Sequence, residues 1–212
     1  MISQQILELF SAFILISAFY VQGQAYFKPA IYAQAIQSIL ISAIAIYMGF
    51  TLASFDYIFL GIAIVVFRSF LITLFLLRGL KEKLGLREST KGIASELIIN
   101  LAFFTTASII IYYLIIEKIS LNVEFSNSSI LLFSFILLFQ GLFLIITRKS
   151  TIFQFIGFIE EENSTILFGV LLLPIPFLIE VSIFLDILGL VIVTSILTLE
   201  KTEHSTLDEL KG

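Results

Sequence analysis

The sequence predicts an all-α, polytopic membrane protein with about seven transmembrane helices. Of its 212 residues, 59% are hydrophobic and only 13% charged, whereas a soluble domain runs at roughly 45–50% and about 25%. Mean hydropathy is +1.09. The apolar residues also gather in seven long, continuous runs without the period-two alternation of a membrane β-barrel. A helix crosses a bilayer with roughly 20 mostly apolar residues, and each run meets that length.

The spans follow in order as about Ile6–Phe27, Ala30–Phe50, Phe55–Leu77, Ile93–Ile116, Ser128–Thr147, Ile152–Leu173 and Phe177–Leu199. The first lacks a basic leader region and a small-residue cleavage site, so it reads as a retained helix and not as a signal peptide. Lys28-Pro29 is expected to part the first two spans, and Phe50-Thr51 through Phe55-Asp56 the next pair. Arg78 to Lys91 forms the longest charged loop, Glu117 to Asn127 is polar, and Arg148-Lys149-Ser150 is a short turn. Pro174-Ile175-Pro176 stops the sixth span, because proline lacks the donor a continuing helix needs. The stretch beyond Glu200 reads as a short polar tail.

Charge sets the orientation. Seven crossings put Lys28, Arg78, Lys81, Lys83, Arg87, Lys91, Arg148, Lys149, Lys201 and Lys211 on one face, and Lys118 alone on the other. Cytoplasmic loops are rich in Lys and Arg, so the N-terminus is expected outside a cell membrane and the C-terminus in the cytoplasm. A net charge of −4 argues against nucleic-acid binding. Cysteine is absent and His204 is the only histidine, so thiolate-held clusters and multi-His metal sites are excluded and no cofactor is expected in this chain. No inverted repeat divides the spans, which argues against a self-contained secondary transporter.

Once loops, tails and helix ends are set aside, about six charged residues remain within the spans. An ionisable group near the bilayer centre costs about 2.5–3.5 kcal/mol on insertion scales and therefore usually has a partner or a job. Arg68 lies ten residues before Arg78, roughly 15 Å deep at about 1.5 Å per residue. It reads as an inward-facing cation paired with a carboxylate; the plainer alternative is snorkelling to the interface. Glu160, Glu161 and Glu162 follow Lys149 by 11 to 13 residues. Three successive helical residues fan over about 200°, so they cannot all face one partner. Asp186 lies 14 residues before Glu200, again near the middle, while Glu180 sits close to a span end. Gln34, Gln37, Ser38, Asn100 and Gln140 are expected to form interhelical hydrogen bonds. Carboxylates and a cation sharing a low-dielectric interior suit proton relay, with sodium coordination the competing use.

The run from Arg148-Lys149-Ser150 through Ile156-Gly157-Phe158 to Glu160-Glu161-Glu162-Asn163 resembles the hydrogenase-4 component E family, in which a basic turn leads to a Gly-aromatic pair and then Glu-Asn. On that match Glu162 takes the family's glutamate position, and Glu160 and Glu161 are additional. Glu180 and Asp186 resemble its Glu-x5-Asp pattern, and Leu207-Asp208 its tail; Gln37-Ser38 and Arg68 agree more weakly. The last third also resembles the three-helix K-type subunit of respiratory complex I. That subunit has its first glutamate at the place of Ile159, so Glu160 and Glu162 are the candidates to stand in for it. The resemblance divides the chain into a four-helix membrane region, 1–127, a K-type-like three-helix region, 128–199, and the cytoplasmic tail, 200–212.

What the resemblance implies is a membrane-arm subunit of a complex-I-like, group 4 hydrogenase-related oxidoreductase. Such a subunit carries no redox site. Its partners would be antiporter-like large subunits, a membrane anchor and a peripheral redox arm holding iron–sulfur clusters and, in a true hydrogenase, nickel–iron. The expected proton or ion pathway is Glu162 and Asp186, with Glu160, Glu161 and Glu180 as further candidates and Arg68 tuning them. The alternatives are a stand-alone ion or solute transporter and a structural membrane scaffold.

Overall fold

The computed structural model describes residues 2–81, 88, 92–114, 128–172, 180–192 and 194–195. The fold is all-helical, and no strand occurs among the described residues. Helices α1 (Ile2–Gln22) and α2 (Phe27–Thr51) form an antiparallel hairpin. Then α3 (Phe55–Ile64) runs without a break through a π-helical segment, Val65–Ile72, into α4 (Thr73–Lys81). After these come α5 (Ile93–Tyr112), α6 (Ser128–Thr147), α7 (Thr151–Leu172) and α8, residues 180–192. Among the described residues, seven helical rods thus correspond to the seven apolar runs. Among the described residues, four stretches are long and apolar enough to cross a membrane: Gln5–Gln22, Phe27–Thr51, Phe55–Leu80 and Ser95–Tyr112. In α6 the apolar stretch Leu131–Thr147 is shorter, and α7 has 22 residues but carries three consecutive glutamates. The Pro174–Pro176 break, Lys118 and the tail with His204 lie outside the described residues.

One boundary differs from the expectation. Lys28-Pro29 does not part the first two helices; both residues lie in the first turn of α2, and the chain reverses at residues 23–26. Proline is accepted there because the first turn has no partner for its missing N–H. The next reversal, between α2 and α3, places Ala53 at φ 51. It is tight because Gly49 lies against α3: a Cβ at Gly49 would stand 2.9 Å from the Ile58 backbone nitrogen.

The centre of the bundle is α2, which packs on α1, α3, the π segment, α4 and α7. Its buried face is polar as well as apolar. Gln34, Gln37, Ser38 and Ser42 are all buried. Gln34 Nε2 donates to Ser38 Oγ at 2.9 Å, and Ser42 Oγ donates to the Gly61 carbonyl at 2.7 Å. Polar groups removed from water need such partners; the first bond lies within α2, and the second ties α2 to α3. Helix α6 pairs most extensively with α7. At their crossing a Cβ on Gly141 would lie 2.6 Å from the Gly157 carbonyl oxygen, and one on Gly157 would lie 2.8 Å from the Gly141 oxygen. Only two glycines permit backbones this close. By contrast α5 leaves Ile98, Ile99, Leu101, Ile109 and Ile110 exposed.

Candidate functional site

The π segment holds Arg68 near the midpoint of the 26-residue apolar stretch Phe55–Leu80. A π turn widens the helix and breaks the regular i to i−4 ladder, a distortion often found at functional positions. Thr73 lies at the end of this segment, with its Oγ1 donating to the Arg68 carbonyl at 3.4 Å. The Arg68 side chain is fully buried inside the bundle.

Its guanidinium is surrounded by α7 and α8. Nη1 donates to Asn163 Oδ1 at 2.8 Å, Nη2 pairs with Glu162 Oε2 at 3.1 Å, and Nε donates to Asp186 Oδ1. Nη2 also approaches Ser182 Oγ at 3.4 Å. Asn163 turns its Nδ2 the other way and donates to Gln37 Oε1 on α2 at 2.8 Å. One buried network thus connects α2, the π segment, α7 and α8. Each carboxylate keeps one oxygen without a hydrogen bond, Glu162 Oε1 and Asp186 Oδ2. A cavity of about 20 Å³ opens beside the pair, between Thr165 and Ile166 on α7 and Val181, Ser182 and Leu185 on α8. That is room for about one water molecule.

The glutamate triplet divides as its helical fan requires. Glu162 meets Arg68; Glu160 is fully buried with no hydrogen bond to either carboxyl oxygen, and the Gln37 side chain lies beside it. Glu161 lies between them and is half-buried, and Glu180 is exposed at the start of α8. The geometry therefore brings together Arg68, Glu162 and Asp186, sets Glu160 close by, and leaves Glu161 and Glu180 outside. Asn100 and Gln140 form the expected interhelical bond, Nδ2 to Oε1 at 3.0 Å.

A second buried ionic cluster was not anticipated from the sequence. Arg148, read as a loop cation, is 2% exposed, and Glu88 in the charged loop is 6% exposed. Arg148 Nη1 donates to Glu88 Oε2 at 2.9 Å, and Nη2 donates to the Gln22 carbonyl. The guanidinium stacks 4.6 Å from the centre of the Phe153 ring. Glu88 Oε1 accepts from the Lys149 and Ser150 backbone N–H groups, at 3.0 and 2.8 Å, just ahead of α7. A carboxylate there satisfies unpaired donors and complements the positive end of the helix dipole. The Glu88 N–H in turn donates to the Ala25 carbonyl at 2.9 Å. The cluster thus joins the α1–α2 turn, Glu88 and the α6–α7 turn. Nothing local in the sequence marks it, because its partners are 60 and 126 residues apart.

Among the described residues, no three His, Cys, Asp or Glu side chains are grouped to hold a metal ion. No family model, curated protein or solved structure matches the chain.

Proposed function

We propose that this chain is a multi-pass membrane subunit of a complex-I-like, group 4 hydrogenase-related oxidoreductase, passing protons through carboxylates held by Arg68. The observation that carries the reading is a permanent cation locked between Glu162 and Asp186 at mid-helix depth, with one oxygen of each carboxylate unbonded. The motif resemblance around Gly157 and Glu162 supplies the class of assembly. The excess of Lys and Arg on one face supports a cytoplasmic C-terminus, and the redox partners supply any iron–sulfur or nickel–iron centres.

In this reading a proton binds at Glu162 Oε1, the carboxyl oxygen left without a hydrogen bond. Arg68 cannot give up its own proton, so it acts by position. Neutralising Glu162 leaves the guanidinium to Asp186, and the two carboxylates titrate as a coupled pair. The guanidinium also fills the position between them that a sodium ion would need. Hard cations collect several oxygens, and here the Asn163 Oδ1 atom is already committed to Arg68. This favours protons over sodium.

The test is Glu162→Gln in the intact complex. The expected result is electron transfer retained and proton pumping lost or strongly reduced. Unchanged pumping at unchanged electron transfer would remove Glu162 from the pathway. Co-purification in mild detergent with antiporter-like subunits and a hydrogenase-like large subunit tests the assembly. A second reading, a static structural lock, is favoured by the complete bonding of the Arg68 nitrogens; it expects Glu162→Gln to reduce assembly and pumping together. Transport by the reconstituted chain alone would instead favour a stand-alone transporter.

A further inference from the structure

A groove runs along the outer seam of α1 and α2. Its floor is made of small residues, Ser17 and Ala33, and its walls of large ones, Phe13 and Tyr20 on α1 and Tyr32 and Ile36 on α2. The volume is about 680 Å³. The lining offers little to a polar solute: Ser17 Oγ already donates to the Ile14 carbonyl at 2.6 Å. The groove suits a flexible hydrocarbon.

Its length selects the occupant. On α2 it extends from Pro29 to Leu40, roughly 17 Å at 1.5 Å per residue. That is close to half of a hydrocarbon core about 30 Å thick. A spanning partner helix would need a seam of the full thickness; an acyl chain of one leaflet needs half. Charge completes the assignment. Lys28, Tyr32 and Ile36 are successive i, i+4 positions and share one ridge of α2. Lys28 is exposed at the end of that ridge, beside the α1–α2 turn. Cations and tyrosines at this depth meet lipid headgroups, and anionic ones preferentially.

We propose that the α1–α2 groove binds one anionic phospholipid, with an acyl chain between the Phe13–Tyr20 and Tyr32–Ile36 walls and the phosphate against Lys28. The proposal rests on α1 and α2 lying in a membrane, and is independent of the proton relay.

The experiment is native mass spectrometry of the full chain, purified in mild detergent and equilibrated with equimolar phosphatidylglycerol and phosphatidylcholine. The expected result is one retained lipid per chain, with phosphatidylglycerol preferred about fivefold or more. Lys28→Gln should abolish the preference while keeping a lipid. Ala33→Leu, which raises the groove floor, should lose both lipids; Ser17→Leu raises the same floor from α1 and serves if the first variant does not fold. Retention that survives both floor substitutions overturns the site. A preference that survives Lys28→Gln overturns the headgroup assignment. An isoprenoid quinone or a polypeptide held in place of phospholipid overturns the choice of occupant. Glu162→Gln should leave lipid retention unchanged, so failure of the relay reading and failure of this one are separately visible.

Discussion

Removing Arg68 alone should be far more damaging than removing its whole ionic network. Arg68→Met leaves Glu162 and Asp186 buried beside each other without their shared cation. Arg68 and Asp186 have side chains 0% exposed and Glu162 6%, so solvent cannot substitute. Breaking a buried pair in this way costs about 3–5 kcal/mol, whereas exchanging all members for neutral groups of similar volume is often close to neutral. The triple variant Arg68→Met/Glu162→Gln/Asp186→Asn should therefore recover most of the loss. Both the single and the triple variant orphan Asn163 Oδ1, a shared cost of about 1–3 kcal/mol where neither water nor a new amide replaces the donor. The assay is reversible unfolding of the purified chain in mixed micelles of increasing sodium dodecyl sulfate fraction. Relative to the triple variant, the folded-to-unfolded ratio is expected to be lower by roughly a hundredfold to several thousandfold in Arg68→Met, taking 1.4 kcal/mol per decade, and the triple variant is expected to lie within about a hundredfold of the parent. If single and triple variants unfold alike, the three groups do not form one buried network.

Three further outcomes follow from the geometry. Gly141→Ala and Gly157→Ala should each destabilise the chain by about 1–3 kcal/mol, because the added methyl meets backbone oxygen and cannot be relieved by a rotamer change; Gly189→Ala meets only the Phe155 ring at 3.3 Å and should cost less in the same mixed-micelle unfolding assay. Glu88→Gln should destabilise by about 1–3 kcal/mol by weakening a charge-assisted contact to buried Arg148, while Glu88→Gln/Arg148→Gln should not add the two single losses, a non-additivity read from a double-mutant cycle. Glu161→Gln and Glu180→Gln should leave stability within about 0.5 kcal/mol and, on the proposed relay reading, pumping by the complex unchanged, since one is half-buried away from Arg68 and the other exposed.

The mid-helix position of Arg68 was legible from sequence: counting ten residues back from Arg78 sets it well inside one continuous apolar run whatever it packs against. The division of Glu160, Glu161 and Glu162 was legible for the same reason, since successive residues must diverge in azimuth. Which glutamate meets Arg68 was not legible, because it depends on how α7 is rotated against α6. The π segment was also hidden; apolar composition through Val65–Ile72 satisfies either ladder. Lys28-Pro29 misled because proline both ends helices and begins them, and only the backbone tells which. Arg148 counted as a loop cation because positive-side counting ignores burial, and its partner Glu88 is brought to it by tertiary folding alone.

The glycine crossing of α6 and α7 has a mechanical meaning. A Cβ at Gly141 would also stand 2.8 Å from the Glu161 backbone nitrogen and 3.2 Å from Glu160 Cβ, so the seat grips α7 at the level of the glutamates themselves. It works as an index pin. Turning α7 by one residue, about 100°, would offer Arg68 a different glutamate, but it would also swing a side-chain-bearing residue into the place of Gly157. The three glutamates are therefore not interchangeable spares. The choice among them is made by two residues with no side chain, on the seam where α7 meets α6.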